Sequence, residues 1–212
     1  MSELYNAILT GNALAAAEAV RKALDGGAAA LELVQREMAP AMDEVGRRFE
    51  CEEYFLPELL LSARAMKAAL ALIQPLLAAS GAEPAGRVVI CTVKGDLHDI
   101  GKNLVASMLQ GGGFEVIDLG IDVPPERFVE AVRTNRCNLV CLSALLTVTL
   151  PAMKATVDAL TAAGLRKQVR VMVGGAPVTQ HFADEIGADA YGESAAVAVP
   201  LARQLVDARE AA

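Results

Sequence analysis

The chain holds two histidines, and one of them lies where polar side chains gather, in Val93-Lys-Gly-Asp-Leu-His-Asp-Ile-Gly-Lys-Asn103. His98 has Asp96 two residues before it, Asp99 directly after it and Gly101 three residues on. A neutral imidazole is a good ligand for a transition metal. A neighbouring carboxylate can bond the other ring nitrogen, fix the tautomer and raise the basicity of the ligating one. Gly101 lets the backbone pass close to a bulky ligand where a side chain would clash. Taken alone, the same residues also describe a loop histidine that caps a helix beside a solvated aspartate. His181, in Thr179-Gln-His-Phe182, reads as an exposed residue at a helix start.

The elements around the loop decide where it sits. An apolar, β-rich run, Arg87–Thr92, leads into it and a helical pattern leads out. A strand that ends in a polar, glycine-containing loop and then a helix places that loop at the carboxyl edge of a sheet, where open α/β folds bind ligands. Beyond Arg87, strands are expected at 87–92, 115–118, 139–143, 169–173 and 190–191, and helices at about 103–110, 125–134, 150–163, 179–186 and 195–208. Five βα units within about 120 residues predict an α/β domain with a flavodoxin- or Rossmann-like five-stranded parallel sheet. Three small-residue or polar stretches follow the strand ends at Thr92, Ser143 and Val173, so all three reach one edge.

The first part of the chain reads as helices only. Ser2–Thr10 is stopped by Gly11-Asn12, and 13–24 is stopped by Asp25-Gly26-Gly27. Residues 28–48 carry Leu31, Val34, Met38, Met42 and Val45 at amphipathic spacing, with Pro40 marking a kink. A fourth helix starts near Pro57 and runs to about Leu77. Four short-looped helices predict a small bundle. Residues 80–86, with proline and glycine among small side chains, read as a linker, dividing the chain into 1–79, 80–86 and 87–212.

Composition narrows the classes. A net charge of −7 excludes a nucleic-acid backbone as a natural partner. No uninterrupted apolar run long enough to span a membrane occurs, and the N-terminus lacks a signal-peptide pattern, so no membrane partner and a cytoplasmic location are expected. The four cysteines are too few for a disulfide scaffold. Cys91 and Cys141 fall in apolar strand runs as inert thiols, the Cys137/Cys141 spacing does not favour a metal site, and Cys51 lies in a charged, exposed loop.

Asp96-x-His98-x-x-Gly101 resembles the signature of proteins that bind cobalamin base-off with histidine on cobalt. Ser143-Ala-Leu145 resembles the Ser-x-Leu element of that family, and Gly174-Gly175 its Gly-Gly element, in the family's order. From the first helix to about Val206, the chain resembles the corrinoid proteins of methylamine, methanol and methoxy-aromatic methyltransferase systems. It is also similar to the cobalamin-binding module of cobalamin-dependent methionine synthase. The resemblance implies a helical cap bundle ahead of the sheet and a corrinoid cofactor that alternates between methylcobalamin and cob(I)alamin. His98 would be the metal ligand, and Asp96 and Thr149 would complete its proton relay. Thr149 replaces the serine of methionine synthase and equally suits an N-cap before Leu150-Pro151. The displaced nucleotide tail would lie among Ser143, Leu145, Thr147, Gly174 and Gly175, with Glu193 and Ser194 closing over its end. Gly95, Asp99 and Gly101 would complete the loop beside the corrin, and Phe49 and Leu56 would shield its methyl face.

The implied role is a methyl carrier in one-carbon metabolism, a subunit of a corrinoid-dependent methyltransferase system rather than a stand-alone catalyst. Its partners would be a substrate:corrinoid methyltransferase, a methylcorrinoid:tetrahydrofolate or coenzyme M methyltransferase, and a reductive activator. A cobalamin-binding sensor or regulatory module is the alternative; the small subunit of a carbon-skeleton mutase and a corrin-free receiver are further rivals. The second lacks the helical cap, and the third needs no such set of small residues at one edge.

Overall fold

The structure is a computed structural model that describes residues 2–80 and 84–210; residues 81–83 of the expected linker lie outside the described residues. The chain divides into two compact units, Met1–Pro84 with Ser107–Gly113, and Ala85–Ala106 with Phe114–Ala212.

The helical unit holds α1 (Glu3–Leu9), α2 (Ala13–Asp25), α3 (Ala30–Leu33), α4 (Ala39–Glu50) and α5 (Leu56–Ser80). The first two helices start at side-chain caps: Ser2 Oγ accepts from the Tyr5 N–H, and Asn12 Oδ1 from the Ala15 N–H. Leu4, Ile8, Val20, Met38, Leu59, Met66 and Ile73 are buried in the unit. The third expected helix is one continuous rod with a π-helical stretch, Val34–Met38, between α3 and α4. Pro40 follows directly, at the first turn of α4. The proline has no N–H to donate, and the wider turn directly before it accommodates that gap. Each residue inserted into a helix rotates what precedes it by about 100°, so the apolar stripe read across the stretch does not run straight through it. Leu31 is 41% exposed, and Leu33 and Val34 are the buried residues at the start of the stretch.

The α/β unit carries β1 (Arg87–Thr92), β2 (Glu115–Asp118), β3 (Leu139–Ser143), β4 (Arg170–Gly174) and β5 (Ala190–Gly192). All are parallel, in the order β2-β1-β3-β4-β5. The helices that follow the strands are α6 (Ile100–Gly111), which is shared with the helical unit from Ser107 on, α7 (Pro125–Asn135), α8 (Leu150–Ala162), α9 (Gln180–Ile186) and α10 (Ala195–Glu210). Helices cover both faces of such a sheet, so its central strands read as unbroken apolar runs: Val88–Thr92, Leu139–Leu142 and Val171–Val173 are all buried. Strand order reverses between β1 and β3, which opens a crevice at their carboxyl ends. The register aligns Thr92 with Ser143, Ser143 with Gly174, and Gly174 with Gly192 in one row along that edge.

Helix α6 starts three residues earlier than the sequence pattern suggested. Asp99 is the reason: its carbonyl accepts the Asn103 N–H at 2.7 Å and its carboxylate the Asn103 amide at 3.1 Å. Gly101, a helix breaker by type, thus sits in a first turn. Among the described residues, no helix is long and apolar enough to cross a membrane.

Candidate functional site

The loop after β1 is shaped by the end of β1 itself, by its own Gly95 and by the connection after β2. The Thr92 hydroxyl donates to the His98 carbonyl at 2.7 Å, folding the loop back on the strand that launched it. Gly95 takes φ +86°, a conformation that L-residues rarely adopt. From the β2–α7 connection, Asp122 Oδ1 accepts the Gly95 N–H at 2.8 Å and pairs with Lys94 Nζ at 3.0 Å, while the Asp122 N–H donates to the Asp96 carbonyl at 3.0 Å. These bonds hold the Asp122 carboxyl below its ordinary value, the Gly95 N–H contributing most.

Asp96 lies at the centre, 1% exposed. Its Oδ1 accepts from His98 Nδ1 at 2.7 Å. Its Oδ2 accepts from the Leu145 and Leu146 N–H groups at 2.8 and 3.1 Å and faces the Thr149 hydroxyl at 2.7 Å. Burial alone would push this carboxyl up; the bonds from His98, Thr149, Leu145 and Leu146 outweigh it and hold the group well below the usual carboxylate range. An ionised carboxylate only accepts, so Nδ1 of His98 carries the hydrogen. The other ring nitrogen, Nε2, faces Ser143 Oγ at 3.0 Å.

Thr149 stands at the N-cap position of α8, yet its hydroxyl makes no capping bond. It lies 2.7 Å from Asp96 Oδ2 and 2.8 Å from the Leu146 carbonyl, and its single hydrogen goes to the charged acceptor. Of the two uses open to Thr149, the geometry carries the link to Asp96.

The glycines bound the row of strand ends. At Gly175, φ is +130° and a Cβ would lie 1.9 Å from the Ala144 carbonyl oxygen; at Gly174 it would lie 3.0 Å from the Gly192 oxygen. At Gly101 a Cβ would meet nothing within 4 Å. Leu97, Ile100, Ile121, Leu145, Leu146 and Val148, from the loops after β1, β2 and β3, stand between 42% and 81% exposed. So many large apolar side chains exposed on loops at one sheet edge mark a ligand surface.

The structure brings Asp96, His98, Ser143 and Thr149 into one bonded set, with Gly95, Gly174 and Gly175 shaping the backbone around it. Asp99 is used at the start of α6. Thr147 is exposed in a 3-10 turn (Thr147–Thr149). Ser194 Oγ accepts the Val197 N–H at 3.4 Å at the start of α10, and Glu193 is exposed. In the helical unit Phe49 is half-buried in the last turn of α4, and Leu56, 43% exposed, opens α5; Phe55 beside it is 63% exposed. His181 is exposed, as is Cys51, and Cys91, Cys137 and Cys141 are buried. Among the described residues, no cluster of His, Cys, Asp or Glu forms a metal site on its own.

Sequence reasoning missed Thr92, Asp122 and Lys102. The available signal for Asp122 was its place in a glycine- and proline-bounded loop, Gly120-Ile-Asp-Val-Pro124, at the same sheet edge. Lys102 is 3% exposed, and a buried ammonium needs partners: it bonds the Asp118 carboxylate at the end of β2 and Asn103 Oδ1.

Fold and site together define an α/β module that presents an oriented imidazole, backed by a buried carboxylate, at the carboxyl edge of its sheet. A B12 binding domain model matches residues 86–199, and a second B12 binding domain model matches residues 2–74. Dimethylamine corrinoid protein 1 of Methanosarcina acetivorans is 42% identical over 207 residues, which cover 97% of each chain. The crystal structure of a novel cobalamin-binding protein from Desulfitobacterium hafniense superposes with a TM-score of 0.80 at 37% identity, covering 95% of this chain and 96% of that one. The methanol:cobalamin methyltransferase complex MtaBC from Methanosarcina barkeri gives 0.84 at 31% identity, covering 97% of this chain and 78% of the matched chain. The chain belongs to the family of B12-binding corrinoid proteins.

The residues present fit a corrinoid. The donor set offers one nitrogen ligand with its orienting carboxylate, the Gly175 backbone lies where no side chain could, and the exposed apolar residues suit a large macrocycle.

Proposed function

We propose that this chain carries a methyl group on a bound corrinoid between two methyltransferases. The observation that carries the reading is the Asp96–His98 pair: with Nδ1 bonded to a buried carboxylate, Nε2 is the ring nitrogen left for a metal. A bound corrinoid supplies a cobalt centre that can accept and release a methyl group; the chain supplies a ligand, an enclosure and proton handling. His98 would hold the metal through Nε2, in place of the cofactor's own base. Asp96 orients the ring and, through Thr149, has a hydroxyl at 2.7 Å to share charge as the ligand's basicity changes. Ser143, Leu145, Thr147, Gly174 and Gly175 receive the nucleotide tail, with Glu193 and Ser194 at its end; Gly95, Asp99 and Gly101 border the corrin. Residues 1–79 act as the cap domain, with Phe49 and Leu56 excluding water from the reactive face, and 87–212 as the corrinoid domain.

The partner proposed on one side is a substrate:corrinoid methyltransferase. The dimethylamine name of one relative and the methanol:cobalamin methyltransferase complex of another support a partner of this class. On the other side we propose a methyltransferase that uses tetrahydrofolate or coenzyme M, with a reductive activator to restore the cobalt. The test is titration of the protein with cobalamin followed by absorption. Stoichiometric uptake with the base-off, histidine-on spectrum is expected, shifting to base-off with water below cobalt in His98→Ala and unchanged in His181→Ala. Retention of the cofactor's own base on cobalt in the unaltered chain would sink the reading.

A further inference from the structure

The nitrogen that the proposed function assigns to cobalt already has a partner. His98 Nε2 and Ser143 Oγ lie 3.0 Å apart. Ser143 ends β3, its carbonyl tied to the Val93 N–H at 3.1 Å and its backbone paired with Thr92 on one side and Gly174 on the other. Its hydroxyl is therefore presented from a fixed point of the sheet. His98 is fixed as well, by Asp96 at Nδ1 and by Thr92 at its carbonyl. In the neutral ring Nε2 has one lone pair, which lies in the ring plane and serves one partner at a time. A serine hydroxyl that donates to this lone pair and a metal that accepts it are mutually exclusive.

We propose that Ser143 is a latch on the axial ligand: it holds the Nε2 lone pair before the corrinoid arrives, and cobalt coordination releases its hydroxyl to the incoming nucleotide tail. This rests on the reading of His98 as the axial ligand and adds a coupling to it. On binding, the Ser143–Nε2 hydrogen bond would break, the Nε2 lone pair would take the metal in place of the cofactor's own base (in cobinamide, of a bound water), and the serine keeps its own hydrogen. One hydroxyl thereby links two events, ligation of cobalt and seating of the tail. Ser143 is a positioning residue with a cost: a corrinoid with no tail must break the latch and gets nothing in return.

That cost supplies the test. Affinities for aquocobinamide, which has corrin and cobalt but no nucleotide tail, and for aquocobalamin are measured by absorption titration on the full chain, on Ser143→Ala and on Ser143→Thr. With the latch gone, Ser143→Ala should bind aquocobinamide more tightly, by roughly 2- to 10-fold, the worth of one neutral hydrogen bond. It should bind aquocobalamin no more tightly than the unaltered chain, since the tail then loses its hydroxyl. Ser143→Thr, which keeps the hydroxyl, should match the unaltered chain on cobinamide. Weaker or unchanged cobinamide binding by Ser143→Ala would overturn the latch while leaving the proposed function standing. Failure of the unaltered chain to bind either corrinoid through histidine would overturn both. A second readout needs no variant: nitrogen NMR of 15N-histidine protein before corrinoid is added should show His98 Nδ1 protonated and Nε2 bare. A protonated Nε2 would make the histidine the donor to Ser143 and remove the latch.

Discussion

Replacing Thr149 probes the least local part of the site, a bond between residues 53 positions apart in sequence. Thr149 is 6% exposed and Asp96 1%, so water cannot readily take over when the hydroxyl is removed. A hydrogen bond to a charged group contributes about 1.5–3 kcal/mol. Three donors stay on the Asp96 carboxylate, from His98, Leu145 and Leu146, which places Thr149→Ala toward the lower end, about 1.5–2 kcal/mol of unfolding free energy or roughly a tenfold to thirtyfold change in the equilibrium constant. Thr149→Val should cost as much, because it keeps the shape and loses the hydroxyl, whereas Thr149→Ser should recover most of the loss. Urea unfolding measures the three variants, and a double-mutant cycle with Asp96→Asn isolates the pair. The Thr149→Ala effect should shrink by at least half in the Asp96→Asn background. Equal effects in both backgrounds, or a Val variant as stable as the natural chain, would refute the assignment of the Thr149 hydrogen to the carboxylate.

Gly175→Ala combines a left-handed φ with a Cβ placed 1.9 Å from a backbone oxygen, so the strand end must shift; a loss of about 2–3 kcal/mol in urea unfolding is expected, with corrinoid uptake falling more than for Gly101→Ala, where a Cβ meets open space. The Asp96 carboxyl is held well below its ordinary value, so its contribution is complete above the unfolded value of about 3.9 and is lost as pH falls through the folded one. Stability measured below about pH 4 should therefore decline more steeply for the natural chain than for Asp96→Asn. Burial pushes the Cys137 thiol up to about 11 and also raises Cys91 and Cys141, so maleimide at neutral pH should label Cys51 alone in the folded chain and all four thiols in denaturant.

The parts of the fold that burial dictates were legible from the residue pattern. The unbroken apolar runs at 87–92 and 139–143 gave strands with the observed bounds, because central parallel strands have no solvent face to encode. Their small or polar ends then placed His98, Ser143 and Gly174 at one edge. What the pattern could not show is set by local hydrogen bonding or by distant partners. The π-helical stretch at Val34–Met38 leaves no mark beyond Pro40 two residues later, and the expected stripe is broken there: Leu31 is exposed and Leu33 buried. The early start of α6 depends on Asp99 bonding Asn103, which the glycine at 101 masks. The contact between His98 and Ser143 spans 45 residues and exists only because β1 and β3 are neighbours in register. Asp122 reaches Gly95 across a connection from the other side of β1, and no spacing in the sequence announces it.

The most direct measurement is the electron paramagnetic resonance of the cobalt(II) corrinoid bound to protein in which only histidine is labelled with 15N. A nitrogen on the cobalt axis splits each cobalt line into a triplet if it is 14N and a doublet if it is 15N. Triplets should appear with unlabelled protein, become doublets with 15N-histidine, and vanish in His98→Ala while persisting in His181→Ala. Triplets that survive histidine labelling would place the cofactor's own base on cobalt and contradict the assignment of His98 as the ligand.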